Sequence, residues 1–229
     1  MTDRSWRPSP RSPGLRPLLA AATLLVLAAR GKVEAAGKAA AEGAQPPAVA
    51  RMMTPGPEAT ELARRAGAWT VTSTIRATPD AKPMVTRGLV AERRMVGLYL
   101  EEVMKPASGS DGPDFRRISY LTYSKVEGRW QYVSLDTRLP VGIMPAYSAD
   151  VQTSKKLTLM FEPLAFVGFG AEVEGRMIRS NYVLTRDGED HEVAEQFWVQ
   201  ADGVGKPWLA VQYDYTRIKG TAPSSGAGK

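Results

Sequence analysis

Trp130, Tyr132, Ser134, Asp136 and Arg138 occupy alternate positions and form the most chemically mixed row in the chain. Alternation on a β-strand puts all five on one face. Asp136 and Arg138 can then pair with each other, or orient the polar end of a ligand whose apolar body lies against Trp130 and Tyr132. A third reading makes Asp136, with Arg138, the working group of a hydrolase or isomerase. Met144 belongs with this set. With Met84, Met95, Met104, Met160 and Met177 it either lines an adaptable apolar cavity or fills gaps in a core.

Other reactive groups are sparse. The chain has no cysteine, which removes disulfides, thiolate metal sites, lipoprotein acylation and cysteine nucleophiles. The single histidine, His191, sits among Asp187, Glu189, Asp190 and Glu192 after an Asp187-Gly188 turn, a setting that reads as a solvated hairpin. His191 and Glu192 point to opposite faces of a strand, as do Glu101 and Glu102, so neither pair converges on a metal or a substrate. Gly-x-Ser-x-Gly and His-Glu-x-x-His motifs are absent, and Gly168-x-Gly170 lacks the later glycine of a dinucleotide turn. We therefore expect no metal and no cofactor.

These residues need a scaffold, and alternation supplies one. Strand patterns run over 69–77, 84–93, 98–105, 116–123, 130–138, 143–151, 156–162, 175–186, 191–200 and 207–218. Gly97 separates the second from the third. Glu127-Gly128, Asp187-Gly188 and Asp202-Gly203 mark hairpin turns. Residues 106–114 read as a flexible connection at the barrel mouth. Short turns between successive strands make a meander, and closing the meander removes its exposed edges. The fold class expected is all-β, an up-and-down antiparallel barrel of about ten strands. Ahead of it, Pro57 suits the first turn of a short helix, Glu58 and Glu61 its positive end, Arg64 and Arg65 its negative end, and Gly67 its C-cap.

The flanking segments differ in kind. Arg4, Arg7, Arg11 and Arg16 precede an apolar run from Pro17 to Ala29, the pattern of a secretory signal peptide over residues 1–29. The run is short for a spanning helix, so a membrane role is expected only through an uncleaved signal. Residues 30–53 are rich in Ala, Gly, Lys and Pro and read as a disordered linker, and 220–229 as a disordered tail. The barrel domain is thus 54–219. Residues 1–29 hold four arginines and one aspartate, so half of the net charge of +6 belongs to the leader. The remaining basic residues, as in Glu92-Arg93-Arg94, are interspersed with acids, and no nucleic-acid partner is expected.

Gly67-Ala68-Trp69, preceded by Pro55-Gly56-Pro57-Glu58 and Leu62-Ala63, opens a longer series. It continues through Tyr123, Tyr132-Val133-Ser134, Asp136-Thr137 and Gly142-Ile143-Met144, and closes with Tyr215-Thr216-Arg217. Over roughly residues 52–219 this series resembles the DUF1579 family of uncharacterised bacterial proteins. The resemblance implies a calycin or lipocalin-like barrel in which Gly67 and Trp69 are structural, the Trp packing across the closed end. Haem-binding barrels of similar strand number use a histidine near the last strand, and residues 207–218 contain none. The function expected is exported, periplasmic or secreted, binding of a small hydrophobic or amphipathic molecule by Trp130, Tyr132, Asp136, Arg138 and Met144. The alternative is a cell-envelope interaction module with a filled barrel, and homodimer formation stays open.

Overall fold

A computed structural model describes residues 47–110, 114–149, 155–165 and 175–220. The expected signal peptide, most of the expected linker and residues 221–229 of the tail lie outside them. Two short helices, α1 (Pro47–Met53) and α2 (Pro57–Ala63), precede ten strands among the described residues. These are β1 (Gly67–Ile75), β2 (Met84–Val96), β3 (Tyr99–Pro106), β4 (Arg117–Ser124), β5 (Arg129–Asp136), β6 (Met144–Tyr147), β7 (Lys156–Ala165), β8 (Met177–Asp187), β9 (His191–Gln200) and β10 (Trp208–Arg217). Each strand pairs antiparallel with its sequence neighbour, and β1 pairs with β10, which closes the barrel. The up-and-down barrel read from alternation is the fold observed.

Helix α1 occupies the last seven residues of the segment read as linker, with Val49, Met52 and Met53 exposed. Helix α2 starts as its sequence dictates, with Gly56 extended at the N-cap, Pro57 in the first turn and Glu58 at the positive end. It ends earlier than expected, with Arg64 as its C-cap. Gly67 is instead the first residue of β1, at φ 126°, and an added Cβ there would stand 2.8 Å from Arg217 Nη1. The glycine therefore serves a close approach rather than a helix stop. α2 lies across one end of the barrel, packs on β2, β3 and β4, and buries Leu62.

Trp69 and Arg217 form that closed end. They are cross-strand partners where β1 meets β10. The indole lies between two guanidiniums, with the Arg217 carbon 4.2 Å and the Arg93 carbon 4.9 Å from the ring centre, and it meets Tyr215 edge-on. Its Nε1 donates to the Arg65 carbonyl at 3.1 Å, while Arg217 donates to the carbonyls of Ala66 and Arg64 at 2.7 and 2.6 Å. Strand closure, the helix end and the end plug thus share one set of contacts. At the opposite end the connections after β1, β3, β5 and β9 surround the mouth. Beside that mouth β6 pairs with β7 at only two positions, and β7 carries an irregularity between Phe161 and Leu164, where Pro163 has no N–H to give.

Two outcomes follow for stability. Trp69→Ala should cost about 3–5 kcal/mol, since it removes a fully buried aromatic and leaves two cations facing a void. Gly67→Ala should lower the thermal midpoint as well, because its backbone angle and its contact with Arg217 both resist a Cβ. Thermal unfolding followed by circular dichroism measures both; an unchanged midpoint for either would contradict the plug.

Candidate functional site

The interior is divided. Its lower part, nearest α2, holds a chain of buried ions running along the barrel axis. Glu192 accepts hydrogen bonds from Arg65 and, at 2.9 Å, from Arg93. Arg93 also donates to Glu102 at 2.7 Å, and Glu102 accepts from Arg117 at 3.2 Å and from the Tyr215 hydroxyl at 3.3 Å. Arg117 then donates to the Tyr132 hydroxyl at 2.5 Å. Every charged side chain in this chain is less than 10% exposed. The space left among them is only about 20 Å³, room for about one water.

Burial works against each charge, and the pairing decides the outcome. For Glu192 desolvation favours the neutral acid, but Arg93 and Arg65 outweigh it and hold the carboxyl below its ordinary range. Desolvation also opposes the charge on Arg93, which Glu192 and Glu102 overcome, leaving its pKa raised. Arg65, at the end of the chain, is lowered by desolvation despite Glu192. Tyr132, Tyr182 and Tyr215 are pushed up by burial and stay protonated around the ions.

Above the ions, Tyr132, Phe161 and Tyr182 pack in a triangle with ring centres 5.4 to 6.0 Å apart. Arg117 sits 4.9 Å from the Tyr213 ring centre. Beyond this layer the barrel is hollow: a cavity of about 420 Å³ opens toward the mouth. Ile75, Met84, Leu139, Val141, Met144, Leu164, Trp198 and Val211 give apolar walls, and Arg117, Ser134, Asp136, Arg138, Gln196 and Tyr213 supply the polar groups. A second hollow of about 410 Å³ shares Pro140, Val141, Met144, Leu164 and Ala165 with the first, beside the short β6.

Asp136 and Arg138 form a two-point ion pair, at 2.9 and 2.6 Å, reinforced by the Arg138 backbone N–H on the same carboxylate at 2.9 Å. Arg138 lies just past the end of β5, in a turn closed by Leu139 N–H on the Asp136 carbonyl at 3.0 Å, and its guanidinium stacks 3.8 Å from the Phe115 ring centre. Desolvation raises the Asp136 carboxyl, but hydrogen bonds from Arg138 and the nearby Arg117 prevail and lower its pKa. Such a carboxylate is a weak base near neutral pH.

The row read from sequence is therefore split. Ser134, Asp136, Arg138 and Met144 line the cavity, and Met84 with them. Trp130 does not: it is buried toward the closed end against Tyr123, 5.3 Å between ring centres, and its backbone N–H donates to the Ser148 hydroxyl. Tyr132 faces the ions below the aromatic layer. Met104 is core, and Met177 is half-exposed on the outer hollow. His191 is exposed beside Asp187 and Asp214, as a solvated hairpin requires, but its neighbour Glu192 is 1% exposed and belongs to the interior. Among the described residues no three His, Cys, Asp or Glu side chains converge as metal ligands.

Glu102, Glu192, Arg93 and Arg117 went unrecognised as site residues. Parity carried the signal: Glu102 falls between Leu100 and Met104, and Arg93 follows Leu89 and Ala91, all on buried positions.

The sequence profile of DUF1579, described as a protein of unknown function, matches residues 54–217. The chain belongs to this family. Trp69 of Gly67-Ala68-Trp69 and Arg217 of Tyr215-Thr216-Arg217 are partners where β1 meets β10 and closes the barrel. No curated protein gives a significant match. Among solved structures, a crystal structure of Rv2717c from M. tuberculosis aligns at 13% identity over 72% of this chain and 100% of that one, with a TM-score of 0.46. A likeness of that size carries no argument.

Glu192→Gln should cost about 3–5 kcal/mol at neutral pH by leaving Arg65 and Arg93 short of a counter-charge. Because folding lowers the Glu192 pKa, its contribution is present above the unfolded carboxyl value and is lost as pH falls through the folded one. Denaturant titrations of both proteins from neutral to acid should show the gap narrowing. A gap that stays constant or widens in acid would contradict the pairing.

Proposed function

We propose that this DUF1579 barrel binds one small hydrophobic or amphipathic molecule in the cavity at its open end, as an exported protein of the periplasm or the cell exterior. The observation that carries this reading is the divided interior. A barrel built only to present its outer surface has no need of a hollow, yet here about 420 Å³ is left open above a floor that is otherwise filled. That volume and its lining, mostly apolar with a few fixed polar groups, match the general form of small-molecule sites. Barrels of this strand number hold one such ligand. Apolar burial supplies the affinity, and Asp136 with Arg138 orients the polar end. Export rests on the charged and apolar pattern of residues 1–29.

Sequestration fits this geometry better than turnover. Asp136 is already held by Arg138, and its lowered pKa leaves little basicity for abstracting a proton.

The neutral dye N-phenyl-1-naphthylamine should bind saturably, one molecule per chain, with enhanced fluorescence. Val211→Phe, which fills the cavity from an inward position on β10, should weaken that binding by about tenfold while keeping the thermal midpoint. Absence of saturable binding, or equal binding by the filled variant, would contradict the reading. Expression in a bacterial host with N-terminal sequencing tests export: a mature chain beginning within 29–37 in the periplasmic or extracellular fraction is expected, and an intact cytoplasmic chain would oppose it.

A further inference from the structure

We infer that the cavity selects a monoanion, an apolar-bodied carboxylic acid whose carboxylate rests on the floor between Arg117 and Arg138. The inference rests on the binding reading above and adds the charge of the ligand to it. Its basis is the count of ions in the interior. Arg65, Arg93 and Arg117 are buried, and Arg138, with its side chain 30% exposed, lines the cavity, against Glu102, Glu192 and Asp136. Four guanidiniums face three carboxylates, so the interior carries one positive charge without a partner carboxylate.

The excess lies at the cavity. Glu192 and Glu102 are each shared by two arginines along the lower chain, and Arg117 is the member of that chain that reaches the cavity wall. There it stands beside Asp136, its cross-strand partner on β5, whose two oxygens Arg138 already engages. Two cations thus share one carboxylate at the floor. A buried cation in this position gains most from a charge-assisted bond to an anion placed against it. One excess charge matches a carboxylate; a dianionic phosphate would overshoot it, and an ammonium head would add to it. The apolar walls above the floor leave room for the body of the acid, and among the described lining residues Asp136 is the one carboxylate that would repel it.

Displacement of bound N-phenyl-1-naphthylamine by dodecanoate and by dodecanol, which share a chain and differ in head group, tests this. Dodecanoate should displace the dye at about tenfold lower concentration than dodecanol. Arg138→Gln makes the count of cations and carboxylates even and should abolish that preference, read as the ratio of the two displacing concentrations. Asp136→Asn combined with Arg138→Gln restores the excess and should return part of it. Equal displacement by acid and alcohol in the native protein, or an acid preference undiminished in Arg138→Gln, would overturn the inference and leave cavity binding standing. Failure of the dye and both amphiphiles to bind would overturn the proposed function and the inference with it.

Discussion

The buried chain Arg65–Glu192–Arg93–Glu102–Arg117 is the constraint on which the rest of the structure depends. Ions this far from water are costly alone, and each must meet an opposite charge. That requirement sets the register of the strands that carry them: Arg93 on β2, Glu102 on β3, Arg117 on β4 and Glu192 on β9 reach one axis only if the barrel is closed. Arg65, between α2 and β1, reaches the same axis, so the helix is tied to the interior as well as to the rim.

The same chain explains why one end is solid and the other hollow. Ions and tyrosines fill the lower interior nearly to contact, and the Tyr132, Phe161 and Tyr182 rings lie over them. Past that layer β6 is short and β7 irregular, and the inward side chains leave about 420 Å³ open. A cavity with a charged floor and apolar walls is the consequence. Floor and plug share residues with the fold, so stability and ligand selectivity draw on the same arginines.

Much of the fold was legible. Hairpin turns at Gly128, Gly188 and Gly203, each with positive φ, stand where the sequence places them, and Gly97 does separate β2 from β3. Gly67 was misread because a glycine after Arg64-Arg65 fits a helix stop equally well; its true reason is a guanidinium arriving from residue 217, which no local pattern reveals. The site was half legible. Asp136 and Arg138 share a row and pair as alternation suggests, although Arg138 acts from a turn beyond the strand. Trp130 and Tyr132 share the same face, but alternation says nothing about depth along the axis, and depth is what separates cavity from core. Glu192 was hidden by its neighbours: four acids and a histidine in a row look solvated, and only the strand's parity sends one of them inward.

The most direct test of a barrel hollow at one end over a cationic floor is the anomalous scattering of crystals grown with ω-bromododecanoate. The account predicts a single bromine position at the mouth among Ile75, Met84 and Leu164, with the carboxylate against Arg117 and Arg138. A bromine lying at the floor, or found only on the outside of the barrel, would contradict it.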